Sequence, residues 1–316
     1  MVSLPVVTGH DAWPYIVFTY PTATTANLEP VCRFLSTFFG DPPRTPVYQC
    51  NPLDWMRPKD IVIVVYDSLL DPLHILGCIR YRALGHWAGH ERYLVDSFCI
   101  HPQYRHRGLG RFLLHTLHQY ANERGIPYAM FLKEGTPLSW WIPAMYRGRY
   151  VVMKQPLSCS LSTAIGGVTD QIQRISTTCA HRLVRQYAIV YPHAFIVQPV
   201  SVESQEWVDV TIRSEGAVTR HVLLCVQDTH QLDHDGQRMG IVTACLDSHM
   251  DQMPPITAIL LHRVQAMGGW NYPRIWMDRD IQSSDGTEED DGAFHWYTYQ
   301  WNGPTICPRR CVILHE

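Results

Sequence analysis

One stretch constrains the fold of this chain more than any other. It spans residues 101–111 and reads His-Pro-Gln-Tyr-Arg-His-Arg-Gly-Leu-Gly-Arg. An apolar run precedes it at 93–100, and an amphipathic run follows it at 112–120. This order predicts a strand, a tight glycine-bearing turn and a helix. Such a turn points several backbone N–H groups at one spot beside the positive end of a helix dipole, so it predicts an anion site, most naturally for phosphate.

Arginines surround this predicted anion site. Arg105, Arg107 and Arg111 lie in the turn or at the start of the helix. We interpret the stretch as the pyrophosphate cradle of an acyl-CoA-dependent transferase. The competing interpretation for residues 93–100 is an ordinary core strand.

Composition bounds the class of protein. The 316 residues suit one large domain or two smaller ones, and 46% hydrophobic with 17% charged residues indicates a globular chain. The net charge of -3 gives no argument for a nucleic-acid partner, and we expect none. No run reaches the roughly 18–20 apolar residues of a membrane span, so no stable membrane insertion is expected.

The cysteines indicate a reducing compartment. The chain has 10 of them and does not open with a basic and apolar leader, so we expect a cytoplasmic protein with reduced thiols. Cys307 and Cys311 form the closest pair, but no second pair completes a zinc set. We therefore expect no metal.

Hydrophobic periodicity predicts two successive α/β halves. In the first half we predict strands at 13–20, 60–66, 73–81, 94–100 and 128–132, with helices at 28–39 and 108–123. We interpret residues 155–180 as a connector rich in Ser, Thr and Gly. In the second half we predict strands near 187–190, 195–200, 222–226, 274–277 and 294–300, with a helix near 255–267.

Two resemblances follow from these motifs. Residues 105–110, Arg-His-Arg-Gly-Leu-Gly, resemble the Arg/Gln-x-x-Gly-x-Gly/Ala signature of the GCN5-related N-acetyltransferases. A closer resemblance, over most of the chain, is to the N-myristoyltransferases, whose chain holds two such folds in tandem. Residues 96–101, Asp-Ser-Phe-Cys-Ile-His, resemble that family's Asn-Phe-Leu-Cys-Val-His, and residues 55–58 resemble its Trp-Ala-Leu-Arg-Pro with one residue fewer. Residues 291–301 resemble its Asp-Gly-x-Leu-x-Tyr-Tyr-Leu-Tyr-Asn-Trp, and the spacing from there to the chain end is similar too.

The resemblance implies an α/β (α+β) fold of tandem acetyltransferase-like halves that form one saddle-shaped unit. An acyl-CoA-binding half would span 1–165. A second half, 166–316, would form the peptide groove and contribute the C-terminal carboxylate. The implied co-substrate is myristoyl-CoA, and the implied partners are peptides or proteins with an N-terminal glycine. We expect a monomer. The compact and divergent chain suggests a viral protein acting in the host cytoplasm.

The resemblance also implies roles for single residues. The backbone N–H groups of Ser97 and Phe98 would stabilise the oxyanion, and a strand bulge would free them. The α-carboxylate of Glu316 would be the base; its side chain adds a second carboxylate, so which one acts is open. Asp96, where the family has Asn, would hold the acceptor amine or take its proton. Thr136 is the best match to a family threonine.

Two sets of contacts complete the implied site. The residues expected to bind acyl-CoA are Cys99, Ile100, His101, Arg105, His106, Arg107, Gly108, Leu109, Gly110 and Arg111. Those expected to line the peptide groove are Asp41, Tyr48, Asp291 and Gly292.

Alternatives remain open at this point. Gly108 stands where the myristoyl family carries Arg, which brings the turn closer to the general acetyltransferase form. A short-acyl N-acetyltransferase using acetyl-CoA is therefore one alternative, and a non-catalytic acyl-CoA-binding relative is another. Lysine or cysteine acceptors are also compatible with the same site.

Overall fold

A computed structural model describes most of the chain. The described residues are 13–20, 23–39, 47–49, 51–68, 71, 73–126, 128–138, 144–154, 168–192, 194–199, 205–214, 217–233, 235–248, 272, 274–278, 289–298, 306 and 311–312. The chain divides into two compact units. The first comprises 1–83, 90–132 and 230–236, and the second comprises 84–89, 133–229 and 237–316. The predicted boundary at 165 lies outside the described residues and stays a prediction.

The first unit is built on a sheet with helices on both faces. Its elements in chain order are β1 (Tyr15–Thr19), α1 (Thr25–Phe38), β2 (Val47–Tyr48), α2 (Pro52–Trp55), β3 (Ile61–Tyr66), β4 (Ile75–Trp87), β5 (His90–Ile100), a 3-10 helix (Pro102–Tyr104), α3 (Leu109–Glu123) and β6 (Ala129–Glu134). The strand order is β1-β3-β4-β5-β6. β3 pairs antiparallel with β1 and β4, whereas β5 and β6 are parallel.

The sequence of β3 explains the two-sided packing of this unit. Its six residues are all buried and apolar except for the tyrosine hydroxyl at its end. Ile61, Ile63 and Val65 belong to the hydrophobic cluster that contains the buried face of α3. Val62 and Val64 belong to the cluster that contains the buried face of α1. A strand covered on both faces reads as a continuous apolar run, which is what the sequence shows.

The predicted strand, turn and helix around residues 93–123 are confirmed. β5 leads through the 3-10 helix into α3. The helix ends where the sequence predicted: Gly125 has φ +67 and its N–H donates to the carbonyl of Asn122 at 3.0 Å. A glycine in this left-handed conformation is a common helix stop.

The second unit contains most of the long strands. Its elements are β7 (Tyr146–Lys154), β8 (Val168–Ile175), α4 (Thr177–Val190), β9 (Phe195–Ile196), β10 (Gln198–Pro199), β11 (Gln205–Ser214), β12 (Ala217–Leu232), β13 (Arg238–Asp247), β14 (Arg274–Asp278), β15 (Glu289–Thr298) and β16 (Cys311–Val312). The strand order is β15-β7-β14-β13-β12-β11-β8, and β9 pairs with β16. On α4, Ala180 and Val184 pack into the same cluster as Trp207, Leu223 and Cys225 of the sheet.

Two expectations for the second half are wrong. The predicted connector contains β8 and the start of α4, and the strand predicted near 187–190 is the last turn of α4. The short apolar run at 188–190 resembled a strand because three residues cannot show a helical period. Ser176 was the missed signal, since its side chain caps the helix by accepting from the Cys179 N–H at 3.3 Å.

The mixed α/β class is confirmed by both units. The helix predicted near 255–267 lies outside the described residues. Within the described part of the chain, no helix is both long and apolar enough to cross a membrane.

Candidate functional site

The first unit holds a cavity of about 570 Å³ at the strand–turn–helix motif. Its lining residues are Phe38, Phe39, Phe98, Cys99, Ile100, Arg105, His106, Gly108, Gly110, Arg111 and Leu114. Seven of the ten residues predicted to contact acyl-CoA are in this set. The wall therefore combines aromatic and aliphatic side chains with two arginines, which suits a ligand that has an apolar part and an anionic part.

The other three predicted contacts have different surroundings. His101 packs its ring 4.6 Å from that of Phe38, a wall residue. Leu109 is only 1% exposed and lies in the core of the first unit. The Arg107 guanidinium lies 5.4 Å from the centre of the Tyr104 ring. Their predicted contacts with acyl-CoA stay predictions.

The turn exposes backbone donors at the start of α3. His106 and Gly108 have left-handed backbones, with φ +63 and φ +87. Gly108 is the N-cap residue, makes no side-chain cap and accepts at its carbonyl from the Phe112 N–H at 3.0 Å. The first turn contains no acidic residue. The leading N–H groups of a helix have no partner within the helix, so this end can bind an anion with the help of Arg105 and Arg111.

β5 changes course beside the cavity. Its parallel register with β6 runs from Tyr93↔Ala129 to Val95↔Phe131, although β5 continues to Ile100. Ser97 has φ +48, which is unusual for a residue with a side chain and costs about 1–2 kcal/mol. Phe98 follows it, is 40% exposed and lines the cavity. The predicted irregularity therefore lies next to the predicted anion site.

The carboxylate of Asp96 is held by two buried arginines. Its Oδ1 accepts from Arg80 Nε at 2.7 Å and from Ser97 Oγ at 3.2 Å. Its Oδ2 accepts from Arg80 Nη2 at 2.8 Å and lies 2.8 Å from Arg82 Nη2. Burial disfavours the charged carboxylate, but the two guanidinium groups outweigh burial and lower the pKa of Asp96 below its usual range. Asp96 is consequently ionised at neutral pH and a weak proton acceptor.

Arg80 also reaches α2. Its Nη1 donates to the Trp55 carbonyl, and its guanidinium carbon lies 4.9 Å from the centre of the Trp55 ring. Burial alone would lower the pKa of Arg80, but the Asp96 carboxylate raises it above its usual value. Asp60, fully buried, accepts from the N–H groups of Ala83 at 3.0 Å and Arg57 at 3.1 Å.

The thiol in the cavity wall is unreactive. Cys99 is 4% exposed, and burial raises its pKa to about 12. A protonated thiol is a poor nucleophile at neutral pH. Cys99 is therefore a poor candidate for a nucleophile.

The remaining predicted residues fall into three places. Tyr48 is half-buried in the first unit, 5.1 Å from the ring of the wall residue Phe39. Thr136 is exposed in the second unit, next to Gly135, whose N–H donates to the Ala293 carbonyl at 2.7 Å. That carbonyl directly follows the predicted groove residues 291–292 at an irregularity of β15, so the two predictions lie side by side. Asp41 and Glu316 lie outside the described residues.

Sequence reasoning missed five residues of this region. They are the wall residues Phe38, Phe39 and Leu114 and the buried cations Arg80 and Arg82. The cations had a signal: they alternate on an otherwise apolar strand, so both point to one face. The phenylalanines had none, because their position at the end of α1 depends on how the helix packs.

No metal-binding cluster occurs among the described residues: no group of three or more His, Cys, Asp or Glu side chains is arranged to hold a metal ion.

Comparison with known proteins places this geometry in a fold. Residues 28–137 match the model of the Acetyltransferase (GNAT) family. The structure of Saccharomyces cerevisiae N-myristoyltransferase with bound myristoyl-CoA is similar over 97% of this chain and 84% of that chain, with a TM-score of 0.61 and 10% identity. A tandem GNAT protein from the clavulanic acid biosynthesis pathway is similar over 93% of this chain and 100% of that chain, with a TM-score of 0.55 and 12% identity.

A third similar structure is the GCN5-related glucosamine N-acetyltransferase region of a fungal multi-domain GH3 beta-N-acetylglucosaminidase. It is similar over 93% of this chain and 39% of that chain, with a TM-score of 0.58 and 12% identity. No curated protein has a significantly similar sequence. At these identities the structural likeness establishes the fold, which is the GNAT-type fold expected from residues 105–110.

Proposed function

We propose that the protein is an acyl-CoA-dependent N-acyltransferase that transfers a fatty acyl group, myristoyl, to the N-terminal glycine amine of a protein or peptide. One observation carries the proposal. Left-handed Ser97 lies just beyond the end of the β5–β6 register, and the exposed Phe98 that follows it lines a cavity together with residues of the arginine-bearing turn. It supports the proposal because the backbone N–H groups proposed as oxyanion donors and the turn proposed to bind phosphates belong to one region of the first unit.

The proposed reaction uses these two parts in turn. The CoA pyrophosphate binds the N–H groups at the start of α3 and the side chains of Arg105 and Arg111. The thioester then lies beside Ser97 and Phe98, whose backbone N–H groups stabilise the developing oxyanion. The amine nitrogen forms a bond to the acyl carbon, the carbon–sulfur bond breaks, and CoA leaves as its thiolate. The amine proton passes to a base.

The attacking amine needs a proton acceptor. Asp96 is paired with Arg80 and Arg82 and has a lowered pKa, so we assign proton acceptance to a carboxylate of Glu316, as the family resemblance implies. An α-amino group has a pKa of about 8, so it is largely protonated at neutral pH and must lose a proton before it attacks. A short extension after residue 316 should abolish transfer if the terminal carboxylate acts, and Glu316→Gln should abolish it if the side chain acts.

Two features support a fatty rather than a short acyl group. The cavity wall contains three phenylalanine rings and a leucine, which offer apolar surface to a chain. The same fold holds myristoyl-CoA in the yeast N-myristoyltransferase. Acetyl transfer is the second candidate, because Gly108, with φ +87, supplies the general acetyltransferase form of the turn.

Competition between donors tests the proposal. The protein is incubated with an equimolar set of acyl-CoA thioesters from acetyl to palmitoyl and a library of peptides that begin with glycine, and the products are identified by mass spectrometry. We expect myristoylated glycine amines. Matched peptides with a blocked N-terminus, and others with an internal lysine or cysteine, identify the acceptor atom. Preferred acetyl transfer would favour the second candidate, whereas tight acyl-CoA binding without any product would indicate a non-catalytic binding protein.

A further inference from the structure

We propose that Arg80, Asp96 and Arg82 form a positioning clamp that holds Ser97 in its left-handed conformation, and so aims the Ser97 and Phe98 backbone N–H groups at the cavity. The catalytic consequence of the clamp rests on the acyl transfer proposed above. Asp96 is a positioning residue in this proposal, since it acts through the backbone of its neighbours.

The clamp consists of short, charge-assisted contacts between one carboxylate and two buried arginines. Arg80 binds Asp96 through two parallel bonds, Nε to Oδ1 at 2.7 Å and Nη2 to Oδ2 at 2.8 Å. Arg82 adds a contact to Oδ2 at 2.8 Å. Arg80 and Arg82 are only 5% and 2% exposed. Two-point binding of a planar guanidinium fixes direction as well as distance, so the clamp fixes the orientation of residue 96 in β5.

Ser97 needs such support from the β4 side. On the other side of β5, the pairing with β6 ends at Val95 and does not reach Ser97. The Ser97 hydroxyl donates to Asp96 Oδ1 at 3.2 Å, and the Ser97 carbonyl accepts from the Cys78 thiol of β4 at 3.4 Å. Since a left-handed serine is strained, it persists only where its surroundings fix it. The contacts that do so here run through Asp96 and β4.

The clamp also joins the strand to α2. Arg80 donates to the Trp55 carbonyl and stacks on the Trp55 ring while it holds Asp96. One side chain therefore contacts both the end of α2 and the residue before the bend. A movement of α2 would change the direction of the N–H groups at 97 and 98.

The charge balance makes Asp96 specifically necessary in this chain. Arg82 Nε is already a buried donor without a hydrogen-bond partner among the described residues. Replacing the Asp96 carboxylate by a neutral amide would leave two buried guanidinium groups facing a single acceptor oxygen and an NH₂ group. Asparagine, which the resembling family carries at this place, should therefore be a poor substitute here.

The test compares Arg80→Lys, Asp96→Asn and the double variant with wild type. Arg33→Lys is the matched control, because Arg33 forms an exposed pair with Glu29 in the same unit. We expect each single clamp variant to lower kcat by roughly 10- to 100-fold, with the Kd for acyl-CoA within about threefold of wild type. The kcat of the double variant should be no lower than that of the less active single variant, because both substitutions break the same set of contacts. Arg33→Lys should leave kcat unchanged.

A rescue experiment separates positioning from general stability. Glycine adopts the left-handed conformation without strain. Adding Ser97→Gly to Asp96→Asn should therefore raise kcat at least about threefold above that of Asp96→Asn alone. A role confined to stabilising the fold would give no such rescue. The proposal is overturned if folded clamp variants keep kcat within about twofold of wild type, or if Ser97→Gly restores nothing.

A second measurement does not depend on turnover. In the clamp variants the amide NMR signals of Ser97 and Phe98 should shift while those of Ile63 and Val65 in β3 keep their positions, and hydrogen exchange at 97 and 98 should accelerate at least about tenfold more than at 63 and 65. Unchanged amides at 97 and 98 would refute the clamp. If wild-type protein transfers no acyl group, the proposed function fails, and these amides still decide the clamp.

Discussion

A Cβ atom on Gly110 of α3 would lie 3.2 Å from Cζ of Phe98 on β5. The same atom would lie 3.0 Å from Cδ1 of Ile100, so the start of the helix approaches the bent strand as closely as a residue without a side chain allows. The second glycine of the turn, Gly110, therefore allows α3 to pack closely against β5. The first, Gly108, serves the left-handed backbone and has no atom near its missing side chain.

Gly110→Ala should change ligand binding more than stability. The new methyl group must displace the ends of two side chains, both of which line the cavity, while alanine in a helix gains roughly 0.5–1 kcal/mol over glycine. We expect the free energy of unfolding to change by less than about 1 kcal/mol and acyl-CoA binding to weaken by roughly 3- to 10-fold. Thermal unfolding and ligand titration measure the two effects.

The control for this prediction lies at the other end of the same helix. Gly125 has φ +67 and no atom within 4 Å of its missing side chain. Gly125→Ala should therefore destabilise the fold by about 1 kcal/mol through backbone strain and leave acyl-CoA affinity unchanged. Equal loss of affinity in both variants would contradict the role given to Gly110.

Arg111→Gln should weaken binding of the phosphate end of acyl-CoA. Arg111 is exposed and lines the cavity at the first turn of α3. We expect a roughly tenfold higher Kd for acyl-CoA and a weaker dependence of that Kd on salt concentration. The Kd for the same acyl group on pantetheine, which lacks the pyrophosphate, should not change. Arg124→Gln, near the end of the helix, is the matched control. A loss of affinity for acyl-pantetheine as well would show that Arg111 acts elsewhere.

Cys99→Ala should retain most activity. The thiol lines the cavity but is buried and protonated, so it is not expected to carry the acyl group. We expect kcat within about threefold of wild type and, in wild type, no acyl adduct on the protein when the reaction is quenched and examined by mass spectrometry. A trapped thioester on Cys99 would replace direct transfer by a two-step mechanism.

Asp96 should make stability depend on pH in a defined direction. Its pKa is lower in the folded protein than the value of about 3.9 expected in the unfolded chain. Its ionised form therefore adds stability that is fully present above about pH 4 and is lost as the pH falls through the folded pKa. At pH 7, Asp96→Asn should lower the free energy of unfolding by roughly 3 kcal/mol, because it leaves buried guanidinium groups without their counter-charge.

The measurement is urea unfolding of both proteins from pH 7 to pH 3. The gap between wild type and Asp96→Asn should narrow as the pH falls below about 4. Asp71→Asn is the control, since Asp71 is exposed and its carboxylate is bound by its sequence neighbours His74 and Leu73 rather than by buried arginines. A gap that is constant over the whole range would mean that the Asp96 charge does not stabilise the fold.

Elements whose ends are marked by residues in the local sequence could be predicted. The turn at 101–111 carries its own glycines, and the end of α3 carries Gly125, so strand, turn and helix could all be placed. The bend at Ser97 was expected only through a family resemblance, because serine has no intrinsic preference for that conformation. The pairing of Asp96 with Arg80 and Arg82 depends on which residues of β4 and β5 face each other. Residue spacing within one strand does not determine that register.

In the second unit, two elements could not be predicted from local sequence patterns. β8 and α4 were hidden in a polar stretch, although Ser176 marks the start of the helix. The apolar end of α4 was assigned to a strand because Ile189 and Val190 are β-branched, yet in the structure they are 79% and 66% exposed. Their preference for strands is weak compared with the packing of the preceding two turns.

The bend of β5 bears on how such proteins diversify. The groups proposed to stabilise the oxyanion belong to the main chain at residues 97 and 98, so the side chains there can change without removing them. A lineage built around this bend can therefore exchange residues inside its reactive centre and keep the chemistry, provided that some other side chain still holds the bend. Related proteins of this kind would keep a similar backbone conformation after their sequence similarity is no longer detectable.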